Sequence, residues 1–167
     1  MNIADICTRR LVTADKDTSL QQAAALMREQ HVGTLVVVAE GPEGVHAVGI
    51  VTDRDVVIEG IARGLDVTQT PVGRLAEGKL AVVRAQSTLD EALEAMKARG
   101  VRRLLVAGEG GAVQGIVSLD DLLHAVAHEM SQLAHVARAG MDREAAERAP
   151  LPPAQARSVR IPAYSYA

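Results

Sequence analysis

The chain carries the same pattern twice. Residues 17–38 align with residues 86–107 at a constant offset of 69, with identities at Leu20/Leu89, Ala23/Ala92, Met27/Met96, Val32/Val101, Leu35/Leu104 and Val37/Val106. Further on, GIVTDRDVV at 49–57 matches GIVSLDDLL at 115–123, now at an offset of 66. The three-residue shortening falls where GPEG at 41–44 corresponds to GEGG at 108–111. A loop absorbs such a deletion cheaply, whereas a helix or strand does not. The unit is therefore about 55–60 residues long and duplicated, and the fold has to be built from two copies of it.

Within each unit the elements read alike. A short strand comes first, over Leu11–Thr13 and Leu80–Arg84. A helix follows, over Ser19–Gln30 and Thr88–Arg99. Thr18 with Gln21, and Thr88 with Glu91, have the spacing of a capping box. Leu20, Ala23, Ala24 and Met27 form an i, i+3, i+4, i+7 stripe that Leu89, Ala92, Leu93 and Met96 repeat. Two pairs of apolar runs come next: Leu35–Ala39 with Ala47–Val51, and Leu104–Ala107 with Val113–Val117. Each pair is separated by a glycine-bearing turn, as in paired strands. A second helix begins at Thr52 or Ser118.

A β-α-β-β-α unit of this size leaves one sheet face and one helix stripe uncovered, and a tandem copy buries both. The expected fold class is α/β (α+β): two β-α-β-β-α repeats related by a pseudo-twofold axis, spanning 5–65 and 70–128. A helical extension and proline-containing tail occupy 129–167. Leu122, Val126, Met130, Leu133 and Ala137 continue an apolar stripe into that extension, with Gly140 as the expected stop. Beyond Pro150 the sequence shows no period and reads as an unstructured tail or an arm lying on a partner.

Composition narrows the function. Trp and Phe are absent, and Tyr164 and Tyr166 are the only aromatics, so stacking platforms for single-stranded nucleic acid are missing. Any base must be held by aliphatic side chains. A net charge of −3 carries no global bias toward nucleic acid or an anionic membrane. The single cysteine, Cys7, excludes an internal disulfide and a cysteine-only metal cluster. No basic start leads into an apolar run and no stretch approaches the roughly 18 apolar residues of a membrane span, which points to a cytoplasmic protein without membrane contact. Neither a P-loop, a strand-linked GxGxxG nor a Ser-His-Asp or Cys-His arrangement is legible, so no independent catalysis is expected. His124, His128 and His135 lie near one face of a helix that is too long for all three to reach one ion; solvated or interface histidines, and no metal site, are the expectation.

The repeated order of a capped helix, GVRRLLV, a turn and then GIV[ST]xxD resembles the cystathionine-beta-synthase-type (CBS) repeat over about residues 5–128. Both diagnostic segments occur twice, in order and at matching distance. The resemblance implies a non-catalytic regulatory or sensor module. It implies a cleft between the repeats that takes an adenosine-containing ligand (AMP, ADP, ATP or S-adenosylmethionine), with no required cofactor. It places Thr52 and Asp55, and Ser118 and Asp121, on that ligand. The hydroxyl at a helix start suits phosphate, and the carboxylate one turn on suits the two ribose hydroxyls. The same spacing also serves simply to start a helix.

Arg102 and Arg103 stand where family members present side chains to phosphates, though surface arginines are an equally open reading. The first repeat has Gly33 and Thr34 there, with Arg54 as a partial substitute, so unequal clefts are expected. Val12–Ala14 and Val82–Val83 stand where the family wedges adenine, or are simply core. The resemblance also implies a homodimer paired through helical faces and an unidentified protein target. The alternative is a dimerisation or scaffold module without a nucleotide ligand.

Overall fold

In the computed structural model, which describes residues 1–78 and 80–148, the two repeats lie within one compact unit, Met1–Val126, and a second unit begins at Ala127. The first repeat contains β1 (Thr13–Asp15), α2 (Leu20–Gln30), β2 (Thr34–Gly41), β3 (Gly44–Thr52) and α3 (Asp53–Asp55), which continues as a π-helix over Val56–Ile61. The second contains β4 (Val82–Arg84), α5 (Leu89–Arg99), β5 (Arg103–Ala107), β6 (Val113–Ser118) and α6 (Leu119–Glu147). Two short helices that the periodicity did not disclose precede the repeats, α1 (Ile3–Ile6) and α4 (Gly73–Ala76). No helix among the described residues is long and apolar enough to cross a membrane.

Each repeat forms a three-stranded sheet with the same pairing: β1 parallel to β2 and β2 antiparallel to β3, then β4 parallel to β5 and β5 antiparallel to β6. The register slips once in each hairpin, after Val37 and after Val106. The first strand starts two residues later than its apolar letters suggest, because pairing begins at Thr13↔Val36 and at Val82↔Leu105. Leu11 and Val12 precede it.

The helices are set by their ends. Thr88 caps α5: its hydroxyl accepts from the Glu91 N–H, and Glu91 accepts from the Thr88 N–H at 2.8 Å. In α2 the cap is Ser19 with Gln22, one residue later than the Thr18/Gln21 pairing. The offset of 69 already selects Ser19 as the equivalent of Thr88, and only Ser19 leaves Leu20 as the first buried residue of the stripe. Both helices end on a left-handed residue, His31 (φ 53) and Gly100 (φ 62), as a helix C-terminus favours. Gly140 does not stop α6. It sits in α-helical conformation with open space around it, and the flanking Ala139, Met141 and Arg143 to Ala146 carry the helix on, at a propensity cost of about 1 kcal/mol.

Two cores result, one per repeat, and each is closed by a segment from outside its own β-α-β-β-α stretch. Leu20, Leu35, Val37 and Val51 fill the first, which is completed by Val72, Leu75 and Ala76 from the connection between the repeats. Leu104, Val106, Val117 and Leu122 fill the second, which is completed by Ile3 from the N-terminus. The backbone follows suit: the Val72 and Gly73 N–H groups donate to Thr18 and Lys16, whereas Ile3 and Ala4 donate to Ser87 and Ala85. The expected boundaries at 5–65 and 70–128 therefore describe sequence units and not independent bodies.

The same exchange explains the glycine of each GIV segment. A Cβ on Gly49 would meet the carbonyl of Ala76, and one on Gly115 would meet Cys7 Sγ and the Thr8 carbonyl at 2.8 Å. Residues 149–167, read from sequence as a tail or arm, lie outside the described residues.

Candidate functional site

The outer faces of the two sheets meet over Val36, Ile50 and Leu105, with Leu11, Val38, Ala47 and Ile116 packed around them. Two clefts open on this apolar floor. One, of about 230 Å³, is lined by Ile50, Thr52, Arg54 and Asp55 from the first repeat and Gly100 to Arg103 from the second. The other, of about 260 Å³, is lined by Ser118, Asp121, Ile116 and Arg103 from the second repeat and by Thr8, Arg10 to Val12, Val32 to Thr34 and Val36. Each cleft thus joins the [ST]xxD motif of one repeat to the strand entrance of the other.

Backbone bonds set this geometry. The Asp53 N–H donates to Gly33 at 3.1 Å, and the Leu119 N–H donates to Arg102 at 2.9 Å. Each helix start is thereby held beside the strand entrance of its own repeat. The antiparallel registers Thr34↔Thr52 and Arg103↔Ser118 do the same across the hairpins. Packing of the two sheets then turns each motif toward the opposite entrance.

Both motifs are complete capping boxes. Asp55 Oδ2 accepts from the Thr52 N–H at 2.9 Å and its hydroxyl at 2.7 Å, while the Asp55 N–H donates to Thr52 Oγ1. Asp121 Oδ2 accepts from the Ser118 N–H at 2.8 Å and its hydroxyl at 2.6 Å, with the same return bond. The carboxylates are half-buried and fixed in orientation at the cleft wall. A carboxylate has about four lone-pair sites, so a cap and a ligand contact are compatible.

Of the residues singled out from sequence, Thr52, Arg54, Asp55, Arg102 and Arg103 come together in one cleft, and Val12, Thr34, Arg103, Ser118 and Asp121 in the other. Ala14 and Val83 are buried in the two cores, and neither they nor Val82 line a cleft. Thr8, Arg10, Leu11, Val32, Gly33 and Ile116 were missed as wall residues. Arg10 and Thr8 precede the first repeated element, and no periodicity marks them. The basic groups are unequally shared, with Arg54, Arg102 and Arg103 in the Asp55 cleft against Arg10 and Arg103 in the Asp121 cleft.

The CBS domain model matches residues 3–60 and 72–128. The chain belongs to the CBS-domain family. CBS-pair proteins are regulatory modules. Among curated relatives, the CBS domain-containing protein YhcV of Bacillus subtilis is 32% identical over 121 residues, 72% of this chain and 82% of that one. Hypoxic response protein 1 of Mycobacterium tuberculosis is 32% identical over 128 residues, 77% and 87% of the two chains.

A crystal structure of Hypoxic Response Protein I, described with two coordinated zinc ions, matches with a TM-score of 0.63 at 31% identity, over 74% of this CBS chain and 98% of that one. A CBS domain protein of Pyrobaculum aerophilum, described as complexed with AMP, shares the fold with a TM-score of 0.66 at 22% identity, over 79% and 99%. Among the described residues of the present chain, no three His, Cys, Asp or Glu side chains converge as a metal site would require.

Proposed function

We propose that this CBS pair is a sensor that binds an adenosine-containing ligand, AMP, ADP, ATP or S-adenosylmethionine, in the clefts between its repeats. The observation that carries the reading is the pairing in each cleft of a fixed carboxylate with arginine across an aliphatic floor. Asp55 and Asp121 accept from the ribose hydroxyls. The arginines take the phosphate or the carboxylate end of the ligand. The base lies against aliphatic groups, Val12, Val32 and Ile116 in one cleft and Ile50 and Val101 in the other. The AMP described for the P. aerophilum protein is consistent with this reading. Three arginines against two make the Asp55 cleft the better host for a polyphosphate.

The test is a thermal-shift series with AMP, ADP, ATP and S-adenosylmethionine on the wild type and on Asp55→Ala and Asp121→Ala. An extrinsic dye is needed because the chain has no Trp. Ligand at 100 times its Kd adds about 2.7 kcal/mol, a shift of roughly 5–10 °C for a chain of this size. Loss of the shift in an aspartate variant supports the reading and assigns the cleft. Absence of any shift leaves Thr52 and Ser118 as helix caps and favours the second reading.

That second reading is a dimerisation or scaffold module acting on a protein target. Its supporting observation is the row of exposed apolar side chains Val57, Ile58, Ile61 and Leu123 on the helices that follow the two motifs. Self-association into a homodimer is compatible with either reading. A solution mass of one 17.6 kDa chain at all concentrations counts against it.

A further inference from the structure

The part of α6 beyond the CBS repeats is a continuous helix through Glu147 whose apolar residues are bare. Met130 is 66% exposed, Leu133 69%, Val136 72% and Met141 63%. A soluble single helix has no reason to keep such a stripe uncovered. The pattern also has a definite period. Met130, Leu133, Ala137 and Gly140 follow one another at spacings of 3, 4 and 3, which is the a/d seam of a coiled coil. Large residues occupy its first half and small ones its second.

We infer that this seam packs antiparallel against the same seam of a second copy, about a twofold axis near residue 135. In that register Met130 fills the space over the partner's Gly140, and Leu133 fills the space over the partner's Ala137. Each of these four layers then pairs a large side chain with a small one. Gly140, which has nothing within 4 Å of where a Cβ would stand, becomes the hole for a methionine knob. The flanking positions agree: Glu129 comes opposite the partner's Arg143, and Val136 meets the partner's Val136 on the axis.

A parallel pairing would set Leu133 on Leu133 and Gly140 on Gly140. It would leave a void at one end and place Glu129 beside alanine. Antiparallel registers shifted by one heptad lose both the volume match and the Glu129–Arg143 pair. Identical seams about a twofold axis make an isologous, closed dimer. The inference deepens the homodimer part of the preceding reading and is independent of nucleotide binding.

The experiment uses the full chain in a Cys7→Ser background. The mass by light scattering should be twice that of the chain, and Leu133→Glu should weaken the dimer by roughly 100-fold or more. The thermal transition of the CBS repeats should persist in that variant, since Leu133 is exposed in the single chain. Glu129→Arg should weaken the dimer severalfold, with recovery in the double variant Glu129→Arg/Arg143→Glu. Orientation is read by oxidation. Met130→Cys and Gly140→Cys chains should form a disulfide-linked dimer only when mixed. Cross-linking of Met130→Cys alone would overturn the antiparallel register. A dimer that survives Leu133→Glu would overturn the seam while leaving homodimerisation standing. A monomer throughout would overturn both.

Discussion

Arg103 lines both clefts, because it opens β5 beside Ser118 and stands where the two sheets meet. Arg102, one residue earlier and just before the strand, lines the Asp55 cleft and not the other. A charge-assisted hydrogen bond contributes about 1.5–3 kcal/mol, or roughly 10–100-fold in affinity. Arg103→Ala should therefore weaken both sites by that factor, whereas Arg102→Ala should weaken only the Asp55 site. Calorimetric titration of the two variants with ATP separates these outcomes, and equal effects would show that Arg103 is not shared. Glu91 closes the capping box of α5. The Thr88 N–H and the Ser87 hydroxyl hold its carboxyl below the ordinary value of 4.5. A depressed carboxylate contributes stability above its ordinary value and loses it as pH falls through the lower folded value. As pH falls through and below that ordinary value, the melting temperature of the wild type should fall more steeply than that of Glu91→Gln, which keeps a neutral acceptor at the cap. Parallel curves would mean that the cap charge is immaterial at this exposed position.

At the scale of elements, the exchanged segments decide stability. Ile3 is fully buried in the second core although it lies some 80 residues upstream of β4. Ile3→Ala should cost about 2–5 kcal/mol, measured by chemical denaturation, a large share of the stability of an ordinary domain. Gly49→Ala should cost about 1–3 kcal/mol or more by overpacking, since its neighbour is a backbone carbonyl of α4 and not a pliant side chain. A near-wild-type midpoint for either variant would contradict the exchanged packing. Much else at this scale was legible beforehand. The Leu20, Ala23, Met27 and Leu89, Ala92, Met96 positions of α2 and α5, the two hairpins and the helix starts at Thr52 and Ser118 all follow from local period and capping chemistry, whereas Ala24 and Leu93, expected in the same stripes, lie exposed. The ends of β1 and β4 were not, because strand limits depend on which partner residues are available for pairing. Gly140 misled for a related reason: glycine stops a helix only when it takes the left-handed conformation, and nothing in the local letters requires it to.

For the molecule as a whole, the two cores cannot come apart singly. Each is completed by a segment whose chain continues into the other repeat, and the sheets share the Val36, Ile50 and Leu105 cluster. Met27 and Met96 provide one methyl probe in each core. Their signals should disappear at the same denaturant concentration, as two-state unfolding requires, and Ile3→Ala should shift both together. Separate midpoints would mean two independent domains. The clefts inherit this coupling, because their walls come from both repeats.

The duplication, the order of the repeated strands and helices, the membership of the CBS family and the residues of both [ST]xxD motifs were determined by sequence alone, since each depends on local period, capping and spacing. Which arginine faces which aspartate was decided only by tertiary structure. Along the chain Arg102 and Arg103 belong with Asp121, yet Arg102 lines the Asp55 cleft and Arg103 lines both. Thr34 belongs with Asp55, yet it lines the Asp121 cleft. The reason is the burial of the two outer sheet faces against each other. That contact has no sequence period to announce it, and it carries each motif across to the other repeat's strand entrance.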